Sequence, residues 1–391
     1  MKRSMIRLAV ILLAAAPAPA LAWGGQGHRM VGQAAMQALP TSLPAFLRTP
    51  GAVEAVGEYS REPDRSKGSG KVHDNNRDAG HFLDLEDDGR ILTGPRLDAL
   101  PVTRADYEAA LHAASQDSWK AGYLPYSIVD QFQQLTTDMA YWRVETAAAP
   151  REKSKTRKAW MQSDRMRREQ QILLTIGYLS HFVGDGSQPL HVSAHYNGWG
   201  DYPNPKGYSM GKVHGPFEEA FVFNNVHPPA VRAAMTPFQS CGCAIEKRVA
   251  DYLLVTGAQV IPFYELEKAG GFVGSDPRGV AFATTRVAAG ASELRDLITE
   301  AWTASATVKI GLPPVQVPDV VSGKVDPYDA LYSKNLCAAP GRRLGGSPAR
   351  RPSSSRRAPS WPRSPPPSSC WRSGWACRTG RRPSWPRAAV R

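Results

Sequence analysis

Nine histidines are scattered along the 391 residues, and five of them fall at spacings that suit a metal ion. His181 and Asp185 stand four apart near the end of a stretch with helical apolar period, so their side chains share one face. Gly186 and Pro189 then break that helix and let His191 turn back. His214 and Glu218 form a second four-residue pair. Upstream, Asp64 and His81 offer a further carboxylate and imidazole. Zinc favours imidazole nitrogen and carboxylate oxygen, and ligands paired on a helix arrive pre-organised. Taken singly, each pair has a plainer reading, a surface helix pair worth a few tenths of a kcal/mol, and Asp64 could serve as a turn residue. Their conjunction is what points to a metal.

The N-terminus adds an unusual donor. Lys2, Arg3 and Arg7, then the apolar run Leu8 to Ala16, then Ala20-Leu21-Ala22, read as a secretory signal with its cleavage site. The apolar run is roughly half the ~20 residues that a membrane helix needs, so no stable span is expected after cleavage. Export to the outside or the periplasm is the expectation. Cleavage after Ala22 would free the α-amine of Trp23, and such an amine, with a pKa near ~8, loses its proton to a metal more readily than a lysine. Gly24 and Gly27 would let the backbone fold back so that amine, carbonyl and His28 reach one ion. A glycine-rich phosphate loop is the competing reading, but no strand precedes it.

The elements that must position these groups have helical period almost throughout. Candidate helices run near 29–48, 104–117, 128–147, 158–183, 214–225, 243–264 and 278–305. Loops rich in Gly, Pro, Asn and charge occupy 60–80, 145–157 and 193–213. An all-α, single multi-helix domain over 23–337 with long functional loops is the natural fold class. Beyond it, 338–391 holds 13 Arg and no Lys, Asp or Glu among Pro, Ser, Gly and Trp. That composition cannot bury a core and is expected to stay disordered. It suits either a nucleic-acid-binding tail or the frame-shifted translation of GC-rich DNA. Of the 48 Lys and Arg, three lie in the signal and 13 in the tail, leaving 32 against 35 Asp and Glu in the body. Attraction for phosphate must therefore be local rather than general. Cys241 and Cys243 could pair redox-wise, bind a metal, or send one partner to Cys337.

The start Trp23-Gly-x-x-Gly-His28, the later Gly80-His-Phe-Leu-Asp84, and His181-Phe-Val-Gly-Asp185-x3-Pro-Leu-His191 together resemble the zinc-dependent single-strand-specific nucleases of fungi, plants and bacteria. This is the type I, mung bean type family, distantly related to bacterial zinc-dependent phospholipase C. The likeness spans Trp23 to Glu218 in order. It implies the phospholipase C / single-strand nuclease type of fold and three zinc sites. Asp64, His81, His181 and Asp185 would hold one ion. The amine and carbonyl of Trp23, His28 and a bridging Asp185 would hold a second, and His191, His214 and Glu218 a third. Glu218 is the phospholipase-like choice where many of these nucleases carry Asp, whereas the short Trp23-to-His28 spacing is nuclease-like.

The resemblance also implies a chemistry. Three zinc ions with three carboxylates leave a locally positive cleft that draws in a phosphodiester. A bridged zinc pair would lower the pKa of a shared water for in-line attack, while the third ion steadies the departing 3′-oxygen, giving 5′-phosphorylated products. Asp64 could orient the nucleophile and Lys67 steady the transition state. Phe82 matches the base-stacking aromatic, and stacking on an unpaired base is worth ~1–3 kcal/mol. The expected activity is a single-stranded DNA and RNA endonuclease with 3′-nucleotidase activity. The alternatives are a phospholipase C and a helical protein that zinc only stabilises. Lys67 could equally be a solvated loop lysine and Phe82 a core residue.

Overall fold

The computed structural model describes residues 23–74 and 76–332. The signal-type segment 1–22, Cys337 and the arginine-rich 338–391 lie outside the described residues. The fold is all-α, as the periodicity predicts. Its main helices are α1 (Gly24–Gln37), α2 (Pro50–Tyr59), α3 (Arg104–Ala113), α4 (Leu124–Ala148), α5 (Lys155–Ser187), α6 (Ile245–Gly257), α7 (Val260–Lys268) and α8 (Pro277–Ala304). A two-stranded antiparallel hairpin, β1 (Lys309–Ile310) and β2 (Val315–Gln316), is the only sheet among the described residues.

Local chemistry explains where these helices start. Thr49 Oγ1 accepts from Ala52 N, with Pro50 at the first helical position of α2, and Thr103, Ser154 and Asp276 cap α3, α5 and α8 in the same way. Such caps satisfy amides that have no partner inside the helix.

α5 is the central element. Its first half is charged and largely exposed, whereas nearly every residue from Ile172 to Ser187 is buried. A helix that buries all its faces must lie inside the protein. α4, α8, α1 and α2 pack around it. The contact with α2 is close enough that a Cβ on Gly177 would meet Tyr59 Cβ at 2.3 Å. A smaller apolar cluster, including Val144, Met161, Ile310 and Val320, seals the hairpin against the far ends of α4 and α5.

Several boundaries differ from those the sequence suggests. The first helix begins at Gly24, five residues early, and stops at Gln37, because Pro40 and Pro44 lie just beyond its end. α2 is additional, since its Gly-rich, weakly periodic sequence conceals it. The 243–264 helix divides after Gly257 into α6 and α7. The 60–80 segment contains helical turns at Glu62–Arg65, Lys71–Asp74 and Asp78–His81. Cys241 and Cys243 form a disulfide with each other. No helix among the described residues is long and apolar enough to cross a membrane.

Candidate metal centre

The ligand candidates converge from six separate elements. His181 and Asp185 project from the buried last turns of α5, and His28 comes from α1. Asp64 lies in the Glu62–Arg65 turn and His81 ends the Asp78–His81 turn. His191 closes the Pro189–His191 turn, and the Pro216–Val222 stretch that carries Glu218 is π-helical rather than α-helical. π-Turns of this kind recur at functional sites.

Three groups of side chains can each hold a metal ion: His28, His181 and Asp185; Asp64, His81 and His181; and His191, His214 and Glu218. His181 Nε2 lies 3.3 Å from Asp185 Oδ2 and 3.8 Å from Asp64 Oδ1. Asp185 Oδ1 in turn lies 3.5 Å from His28 Nε2. The two oxygens of Asp185 thus face different imidazoles, and His181 belongs to both of the first two groups. In the third, His214 Nε2 is 3.1 Å from Glu218 Oε2 and His191 Nε2 is 3.3 Å from Glu218 Oε1.

The remaining bonds of the imidazoles fix which nitrogen is free. Nδ1–H of His81 donates to Arg77 O at 2.9 Å, that of His181 to Ser60 O at 2.8 Å, that of His191 to His81 O at 2.7 Å, and that of His214 to Tyr196 O at 2.8 Å. A backbone carbonyl on one nitrogen leaves the lone pair of the other for a cation. Gln188, which sequence reasoning passed over, donates to Glu218 Oε1 at 2.6 Å and aims that carboxylate.

Buried polar atoms ordinarily find partners. Here His28 Nε2, His81 Nε2, His181 Nε2, both oxygens of Asp185 and Glu218 Oε2 are buried without a hydrogen bond. His191 Nε2 and His214 Nε2 face each other at 3.1 Å. So many converging lone pairs are costly unless positive charge lies between them. The residues fit a set of cations.

Charge within the cluster follows burial first and neighbours second. Burial, then the charge on His181, lowers His28 to about 4, and burial, then Lys67, lowers His81 to about 3. Both are therefore neutral donors at ordinary pH. Burial also opposes charge on His191, but Asp185 and Glu218 outweigh it and raise that group to about 9. Burial would raise Asp185 and Glu218, yet the histidines around them hold both far below the usual carboxylate range.

Trp23 is fully buried. Its indole donates to Gly184 O at 2.6 Å and Ser187 Oγ at 3.1 Å, tying the start of α1 to the turn of α5 that carries Asp185. Gly24 adopts φ +54°, and a Cβ on Gly27 would lie 2.7 Å from Trp23 Cβ, so both glycines are required for this fold-back.

Beside these groups opens a cleft of about 580 Å³, walled by Lys67, His81, Phe82, His191, Tyr196 and His214 among others. Lys67 Nζ lies 2.9 Å from Asp64 Oδ1, with a side chain only 9% exposed, so it is no solvated loop lysine. Burial works against its charge, but Asp64 more than compensates and the ammonium is held above its ordinary value. Phe82 packs partly on the core and lines the cleft. Asp84 lines the same wall, and burial, then Glu86, raises its carboxyl to about 7. Within the 193–213 loop, Tyr196 reaches the cleft, whereas Trp199 is buried and stacks on His195 at 3.8 Å. His195 donates to Trp199 O at 2.7 Å and serves to hold that loop.

No protein-family model and no curated protein matches the chain.

Proposed function

We propose that this protein is an exported zinc hydrolase that cleaves phosphodiester bonds of single-stranded DNA and RNA, leaving 5′-phosphates. The observation that carries the reading is the set of unpartnered, buried imidazole and carboxylate lone pairs, with His81, His191 and His214 of the same groups lining a cleft that also holds Lys67 and Phe82. Nitrogen and carboxylate donors suit zinc over magnesium or calcium, which prefer oxygen alone. The full ligand set in this reading is the amine and carbonyl of Trp23 with His28, Asp64, His81, His181, Asp185, His191, His214 and Glu218. Zinc bound there would supply Lewis acidity beside a phosphodiester and acidify an attacking water.

The chain's own groups do the rest. Asp64 is held ionised: burial opposes this, but His181 and Lys67 outweigh it. It can therefore accept a hydrogen bond from the attacking water and orient it. The Lys67 ammonium stays charged and is placed to bind a phosphoryl oxygen as negative charge grows there. Phe82 offers a face on which an unpaired base stacks; a base locked in a duplex cannot reach it. Glu218 favours a second reading, a phospholipase C, and one assay separates the two. Mature protein beginning at Trp23 is loaded with zinc and offered single-stranded DNA, duplex DNA and phosphatidylcholine vesicles, with and without chelator. Chelator-sensitive cleavage of the single strand to 5′-phosphate ends is expected. Hydrolysis of lipid alone, or a zinc-raised melting temperature without turnover, would overturn the proposal.

A further inference from the structure

The Cys241–Cys243 disulfide encloses a single residue, Gly242, which adopts φ +60°. A disulfide stabilises a fold chiefly by closing a loop in the unfolded chain, and the effect grows with the length of that loop. A loop of one residue constrains almost nothing, so this bond does not serve as a staple. The flanking chain is held without it. Thr236 N donates to Ser292 Oγ at 3.0 Å and Gln239 N to Asp296 Oδ2 at 3.1 Å, while Arg248 Nη1 donates to Gln239 O at 3.1 Å. On the other side, α6 begins two residues later. Cys241 is exposed and Cys243 half-buried, so an incoming thiol can reach the pair.

Its surroundings favour thiolate chemistry. The backbone N–H of Cys243 donates to Cys241 Sγ at 3.2 Å, a contact that would stabilise negative charge on that sulfur. Cys241 also borders a hollow of about 360 Å³ whose wall includes Arg286. Arg286 is buried with its Nε unpartnered, while the nearby Glu293 and Asp296 are engaged by Arg248 and Arg295.

We infer that Cys241–Cys243 is an exchange-active disulfide that oxidises low-molecular-weight thiols, an activity separate from the proposed phosphodiesterase. A thiolate attacks Cys243 Sγ, forming a mixed disulfide and expelling Cys241 as the thiolate. A second thiolate then attacks the sulfur of the bound thiol, releasing the Cys243 thiolate. Two thiols become one disulfide, and their two protons pass to Cys241 and Cys243.

The test uses the full, folded chain in glutathione buffers of graded ratio, quenched with an alkylating agent and mapped by peptide mass spectrometry. Cys241 and Cys243 should become alkylated together at millimolar reduced glutathione, with one oxidised glutathione formed per protein and no change in melting temperature. The Cys241→Ser/Cys243→Ser double variant should lose this equivalent and keep its helical circular dichroism and its zinc content. Resistance of the pair until the protein unfolds, a bond from either residue to Cys337, or collapse of the double variant would each overturn the inference.

Discussion

Phe82 and Lys67 face the cleft from opposite chemical roles, one offering a π-face and the other a charge, so their losses should differ in kind. Phe82→Ala removes a stacking surface worth ~1–3 kcal/mol, so KM for single-stranded DNA should rise about 5- to 150-fold with kcat little changed; steady-state kinetics on an oligonucleotide checks this. A second expectation concerns protons. Without cations, His28 and His81 titrate at about 4 and about 3, whereas His191 titrates at about 9, against 6.5 for each when unfolded. At His28 and His81 the unfolded chain binds more protons, so stability rises with pH up to 6.5. At His191 the native state binds more, so its contribution is complete below 6.5 and is lost as pH rises through about 9. The cation-free protein should accordingly melt highest near neutrality; calorimetry of chelated protein across that range would refute this if melting temperature climbed steadily. The pairs His181/Asp185 and His214/Glu218 were legible in the sequence because one helical turn separates each. The stacking of His28 on His181, at 3.9 Å between rings, was not, since only the packing of α1 on α5 creates it.

At the scale of elements, the spacing of α2 and α5 decides whether His181 is held. Ser60 O, which accepts from His181, sits just past the end of α2, and Gly177 is the residue at which the two helices touch. Gly177→Ala would force a Cβ against Tyr59 at 2.3 Å, with backbone carbon at 2.9 Å. It should cost about 1–3 kcal/mol by overpacking and weaken the proposed zinc binding, measured by urea unfolding and by metal competition. Periodicity alone located α4, α5 and α8, because long helices with a buried stripe repeat their pattern many times. It failed for α2, whose ten residues hold only Ala52, Val56 and Gly57 buried. It also joined α6 to α7, because the apolar pattern runs through the two-residue turn that follows Gly257 and separates the helices.

For the molecule as a whole, charge is divided by segment rather than spread: the body is slightly acidic, so in the proposed reading bound cations would supply its local attraction for phosphate. The proposed amine ligand ties that chemistry to maturation. A protein retaining one extra residue before Trp23 should bind about two zinc ions instead of three and lose most activity, read by elemental analysis beside the DNA assay; full activity would contradict the amine ligand. His81 carries the last consequence. Its imidazole belongs to one candidate ligand group while its carbonyl accepts from Nδ1 of His191, a member of another, at 2.7 Å. That one hydrogen bond links two ligand groups, so if both hold zinc as proposed, emptying either should loosen the other. Stepwise chelation should then strip the protein in a concerted collapse, with the zinc count falling steeply over a narrow range of chelator instead of in independent steps.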